Sequence, residues 1–162
     1  MPICGANSCL CCKTEKLEEK IMLVRLLYAS RATRGMSPEL VADILAKARK
    51  NNPAAGLTGV LCYGGDIFLQ VLEGGRDQVN ATYGRILRDD RHKEVVLLEY
   101  GEIAERHFNN WTMGQVNLAK LNPSVMLKYS ALPELNPYSV SGKASMALIE
   151  ELIAIASIVG HS

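Results

Sequence analysis

The 162 residues suit one domain with a small appendage, and a hydrophobic fraction of 48% is enough for a core. The formal net charge is +1 and the Lys and Arg residues are scattered, so neither nucleic acid nor another polyanion is indicated as a partner. No apolar run reaches the roughly 20 residues of a membrane span, and the first residues lack the apolar segment of a signal peptide, so a cytoplasmic protein without a membrane contact is expected.

Residues 1–20 have no apolar periodicity and are expected to form a flexible, Cys-rich tail. Cys4, Cys9, Cys11 and Cys12 lie here, and Cys62 sits alone in an apolar run. Five cysteines, an odd number, argue against a disulfide framework in a cytoplasmic chain. Dense thiolates can bind a soft metal, but closed sites draw on two separated pairs and no second pair exists. An oxidisable tail without metal is the favoured reading.

Residues 22–30 (MLVRLLYAS) read as a buried strand. Ser37 is a helix N-cap and Pro38 its first residue. Leu40, Val41, Ile44, Leu45 and Ala48 then share one helical face, until Asn51, Asn52 and Pro53 stop the helix. Residues 57–63 and 67–72 form a hairpin around Gly64, Gly65 and Asp66. Glu73, Gly74 and Gly75 lead to a second helix over 76–88, with Val79, Tyr83, Ile86 and Leu87 inward. Residues 94–100 are a strand and 111–117 a weaker one. This β-α-β-β-α-β-β order predicts an α+β, ferredoxin-like fold with a five-stranded mixed sheet and both helices on one face. The other face needs a cover. Short helical potential over 122–130 and a long helix over 143–159 supply it. Met146, Leu148, Ile149, Leu152, Ile153, Ile155, Ala156 and Val159 wrap most of the long helix, so it has a second surface to bury, in a homo-oligomer or against a partner.

No Ser-His-Asp order, phosphate loop or zinc motif can be assembled, and His92 and His107 lack a partner at ligand spacing. His107 reads as a surface residue. The informative residues are polar ones in apolar surroundings. Tyr28 could be a core aromatic with a satisfied hydroxyl, and Asn52 a helix C-cap. Gln70 is harder to absorb, because strand alternation sets it beside Phe68 and Leu72 on one apolar face. A buried amide without partners costs about 1–3 kcal/mol. Tyr28 on a neighbouring strand is one possible partner, and a heteroaromatic ligand between the two helices is another.

RLLYAS, ARKNNPAAGLTGVLCYGGDIFLQVLEG, RILRDDRH and HFNNWTMG together resemble the BLUF family of blue-light sensors. The resemblance runs from Met22 to Leu118, and it is strongest to short single-domain members of the PixD type. The tail (1–20) departs from the family pattern and nothing about it carries over; beyond it, the resemblance implies a flavin-binding domain (21–118) and a C-terminal helical extension for output and oligomerisation (119–162). It implies non-covalent FAD, with FMN also possible. Tyr28 matches the tyrosine that gives an electron and proton on illumination, and Gln70 the glutamine that bridges tyrosine and flavin. Asn52, and its neighbour Asn51, match residues at the ring edge. Arg85, Asp89 and His92 match positions near the ribityl and phosphate part. Trp111 and Met113 match a pair on the fifth strand whose inward or outward placement is open. Ser30 matches a position bonded to that Trp or to the Gln. A sensor acting on a protein partner is therefore expected, not an enzyme. A small flavin-dependent redox enzyme on this framework and a flavin-free interaction module are the competing readings.

Overall fold

A computed structural model describes residues 22–159. The predicted tail and its four cysteines lie outside the described residues. The elements are β1 (Leu23–Ala32), α1 (Pro38–Ala55), β2 (Thr58–Gly64), β3 (Ile67–Gly75), α2 (Arg76–Leu87), β4 (His92–Glu102) and β5 (Gly114–Asn117). A 3-10 turn (Leu118–Lys120), α3 (Pro123–Leu127) and α4 (Gly142–Val159) follow. The sheet order is β4-β1-β3-β2-β5, antiparallel throughout except that β5 runs parallel to β2. This is the five-stranded mixed sheet that the pattern predicts.

Strand alternation sorts the core into two layers. Val24, Leu26, Tyr28, Leu61, Phe68 and Leu72 face α1 and α2. Leu27, Ala29, Val60, Cys62, Leu69 and Val71 face the opposite way and are covered by Met126 of α3 and by Met146, Leu148, Ile149 and Leu152 of α4. Burial among these apolar side chains pushes the Cys62 thiol up to about 12, so it stays protonated. The two-sided burial explains why the central strands read as nearly continuous apolar runs.

Three boundaries near the site differ from the sequence reading, besides β1 and β4, which run on to Ala32 and over His92–Glu102. First, α1 does not stop at Asn51–Pro53 but runs on to Ala55, and Gly56 rather than Asn52 is the cap. Gly56 takes the left-handed φ of 65°, and the Gly56 and Leu57 amides donate to the carbonyls of Pro53 and Asn52. Asn52 keeps helical geometry before a proline, and its side chain is tied to Thr112 across the domain. Second, β3 continues through Glu73, Gly74 and Gly75, which pair with Arg25, Val24 and Leu23 of β1. Third, β5 begins only at Gly114, so Trp111 and Met113 precede it. Residues two apart on a strand share a face, yet Trp111 packs with the α4 layer and Met113 with the α1 layer. The chain crosses the sheet edge there instead of continuing the pleat.

On α4, Leu152 is 3% exposed and packs on the sheet, whereas Ile155 is 40% exposed. The inward reading of Leu87, 52% exposed on α2, is corrected, and of the two α4 residues Leu152 is core and Ile155 lies at the surface. The predictions for the side chains of Ala156 and Val159 lie outside the described residues.

Candidate functional site

Tyr28 stands directly opposite Gln70 in the β1–β3 register. Both lie in the layer under α1 and α2, at 1% and 5% exposure. The Tyr28 hydroxyl donates to Gln70 Oε1. Gln70 Nε2 points to Met113 Sδ at 3.3 Å. A chain therefore runs from β1 through β3 to the segment before β5. Burial, reinforced by the facing Tyr83 and Asp89, pushes the Tyr28 hydroxyl far above the ordinary phenol range, so it keeps its proton. Its ring leans on Tyr83 of α2, with centroids 5.6 Å apart.

Asn52 is 5% exposed and its Nδ2 donates to the Thr112 carbonyl at 2.8 Å. Arg49, one turn earlier on α1, donates to the Met113 carbonyl at 3.2 Å. Helix α1 thereby holds both Met113, which meets Gln70, and the residue before it. Ser30 and His92 form a second group on the same face. Ser30 Oγ lies 2.8 Å from His92 Nδ1, and the His92 ring packs on Phe68 at 5.1 Å. Ser30 is therefore bonded to His92 rather than to Trp111 or Gln70. Burial lowers the proton affinity of His92, Arg91 adds to that, and Asp89 opposes it, so the imidazole is held neutral. The Asp89 carboxyl, hydrogen-bonded by Arg91, is held at about 2.

The other predicted residues are placed differently. Asn51 is exposed on the last turns of α1. Arg85 is exposed and bonds Thr82 on its own helix at 2.9 Å. Trp111 lies on the far side of the sheet from Met113, its ring against Gly114, where an added Cβ would come within 2.2 Å of the indole. Its carbonyl accepts from Gly59 of β2.

The profile of the family described as sensors of blue-light using FAD matches residues 23–114. The chain belongs to the BLUF family. This BLUF chain is 37% identical over 92 residues to the photoactivated adenylate cyclase subunit beta of Euglena longa, across 56% of this chain and 11% of that protein. In structure it is similar to BlsA in its photo-activated state, with a TM-score of 0.71 and 31% identity over 81% of this chain and 94% of the other. The dark state of BlrB, a BLUF protein, gives a TM-score of 0.68 and 27% identity over 83% and 97%. The chain thus spans only a small part of the cyclase subunit's length, and nearly all of the two solved BLUF chains.

A BLUF domain binds FAD without a covalent bond, and the residues present fit such a group. Gln70 Nε2 carries two protons, yet its acceptor among the described residues is a thioether, which is a weak one. A buried amide so placed suits a heteroaromatic ring bearing acceptors. Tyr28, Tyr83, Phe68 and His92 line the same layer with ring faces and edges.

Sequence reading overlooked four charged residues that organise this region. Arg91 reaches from Asp89, at 2.6 Å, to Asp43 of α1, which ties the turn after α2 to α1. Glu73 is fully buried and pairs with Arg25 at 2.7 Å. Arg106 donates to Thr58, Glu73 and Gly56. A usable signal existed: Arg25 and Glu73 are opposite charges inside two apolar strands, at spacings from Tyr28 and Gln70 that match in an antiparallel pair.

Proposed function

We propose that this chain is a blue-light sensor whose response begins at the Tyr28–Gln70–Met113 chain and leaves through α3 and α4 to a partner protein. The observation that carries it is the buried Tyr28 hydroxyl on the Gln70 carbonyl oxygen, with the Gln70 amide nitrogen on a weak acceptor. Bound flavin supplies a strongly oxidising state when it absorbs blue light. Tyr28 is the reductant at hand, and its hydroxyl proton has an acceptor already in place at Gln70 Oε1. The Gln70 side chain has distinct donor and acceptor ends. Turning it by about half a revolution exchanges the group offered to Tyr28 with the group offered to Met113, and no covalent bond need form.

Asn52, Asn51, Gln70, Arg85, Asp89 and His92 are proposed as the residues that hold the cofactor. Tyr28, Gln70, Met113, Trp111 and Ser30 are proposed as those that respond. Residues 21–118 are taken as the sensing domain and 119–162 as the output extension. The exposed Ile155 is taken as the point of homo-oligomer or partner contact on α4. Light need shift the balance of two states by only about 1–3 kcal/mol to be useful. A cytoplasmic location is proposed; no helix among the described residues is long and apolar enough to cross a membrane.

Absorption spectra of Gln70→Ala before and after blue light test the reading. The variant is expected to hold flavin and to show no red shift. A normal shift without the glutamine would refute the proposed origin of the response.

A further inference from the structure

The segment between β4 and β5 carries Trp111, Thr112 and Met113, yet among the described residues it has no regular structure of its own between Glu102 and Gly114. Something else must fix where Met113 meets Gln70. Glu73 is the element that does so from beneath. It lies on β3 three residues after Gln70, and strand alternation sends its side chain to the opposite face. There its carboxylate is fully buried. One oxygen, Oε1, takes the Arg25 guanidinium, Nε at 2.8 Å, and the backbone N–H of His107 at 3.2 Å. The other, Oε2, takes the backbone N–H of Phe108 at 2.9 Å. Arg25 also lies over the Phe108 ring, 5.8 Å from its centre.

From that anchor the segment is fastened stepwise towards the site. Trp111 N–H donates to the Phe108 carbonyl, Gly59 N–H to the Trp111 carbonyl, and Asn52 Nδ2 to the Thr112 carbonyl. Arg106 secures the near side, donating to Thr58 Oγ1 at 3.0 Å, the Glu73 carbonyl at 3.3 Å and the Gly56 carbonyl at 2.7 Å. His107 then faces Glu150 of α4 at 3.2 Å. The same few residues touch the end of α1, the middle of the sheet and the output helix.

We infer that Glu73 is a positioning residue of the light response. Its buried carboxylate, paired with Arg25, holds residues 106–113 so that Met113 stays on Gln70, and it ties that segment to α4 through His107. A buried carboxylate with charge-assisted bonds to two adjacent backbone amides restrains a loop more tightly than a neutral contact would. The inference rests on the sensor reading above, and its test has one readout that does not.

Trp111 is the only tryptophan of the chain, so its fluorescence reports on this segment directly. The experiment compares the parent protein, Glu73→Gln and Arg106→Gln, each purified with its flavin, by tryptophan emission in the dark and by the rate of dark recovery after blue light. Glu73→Gln removes the charge at nearly constant shape. It is expected to move the Trp111 emission to longer wavelength and to change the recovery rate by about tenfold, as loss of a bond to a charged group implies. Arg106→Gln is expected to act in the same sense. If Glu73→Gln does not fold, Arg106→Gln decides, because that side chain lies at the surface end of the anchor. Unchanged emission, with recovery within about twofold of the parent, well under that loss, overturns the inference. If the parent itself shows no photocycle, the sensor reading fails, and the dark emission still decides whether Glu73 holds the segment.

Discussion

Tyr28 and Gln70 face each other across two antiparallel strands, and the tyrosine hydroxyl donates to the glutamine oxygen inside the core. Sheet register pins the two backbones opposite each other, so the pair stays in contact while the Gln70 amide remains free to turn about its own side-chain bonds. Tyr28→Phe keeps the ring against Tyr83 and removes only the hydroxyl. It leaves Gln70 Oε1 without its donor, a loss of about 1–3 kcal/mol for a buried polar atom. The variant should fold, hold flavin and lack the red shift. A normal light-induced difference spectrum in Tyr28→Phe would exclude it as the donor.

Met113→Leu tests the other end of the chain. The volume changes little, so stability should fall by less than about 1.5 kcal/mol. The weak acceptor for Gln70 Nε2 is lost, which raises the energy of the arrangement described here by about 0.5–1 kcal/mol. Dark recovery should slow by up to about fivefold. Unchanged recovery would show that the sulfur contact plays no part, and faster recovery would contradict its role in holding the arrangement described here.

Asn52→Ala removes the bond between α1 and Thr112. Apart from any contact to the cofactor, it frees the crossing segment from the helix and leaves the Thr112 carbonyl without that donor. Flavin retention through gel filtration should drop, and unfolding should come at lower denaturant by about 1–2 kcal/mol. Equal retention in the variant and the parent would remove Asn52 from the binding residues.

His92 makes stability depend on pH in a definite direction. Burial favours its neutral form, so the folded protein resists a proton that the unfolded chain accepts near its ordinary value of about 6.5. Where the unfolded state binds more protons, stability rises with pH. The contribution is therefore present above about 6.5 and declines as pH falls below it. Denaturant midpoints at mildly acidic and mildly alkaline pH should differ more for the parent than for His92→Asn. Identical differences would contradict the buried neutral imidazole.

The surface of α4 is best probed at Ile155. Leu152 packs on the sheet at 3% exposure, so a charge there would unseat the helix and report only on folding. Ile155→Asp changes an exposed position and should lower the apparent mass in size-exclusion chromatography while leaving the photocycle intact. An unaltered elution profile in both dark and light would remove α4 from the assembly surface.

The fold was legible because apolar periodicity sets it: the β-α-β-β-α-β-β order of elements points to a five-stranded mixed sheet, and both layers of side chains alternate as the strands require. Tyr28, Gln70 and Asn52 stood out for a physical reason, being polar groups where the pattern demands apolar ones. The inward position of Met113 and the outward position of Trp111 were not legible, since a strand would have put both on one face. The crossing is set by Glu73, Arg106 and Asn52 from distant parts of the chain, and no local pattern carries that information. The extension of α1 past Pro53 was hidden likewise: the αL cap falls on Gly56, and Asn52 spends its side chain on Thr112 rather than on capping the helix.

The absorption difference spectrum of the purified protein, taken in the dark, after blue light and again after a dark interval, tests the central claim most directly. The account predicts a yellow protein whose flavin band moves slightly to the red and returns fully in the dark, with no covalent adduct. A colourless protein, a bleached band, or a flavin spectrum that light leaves unchanged would contradict it.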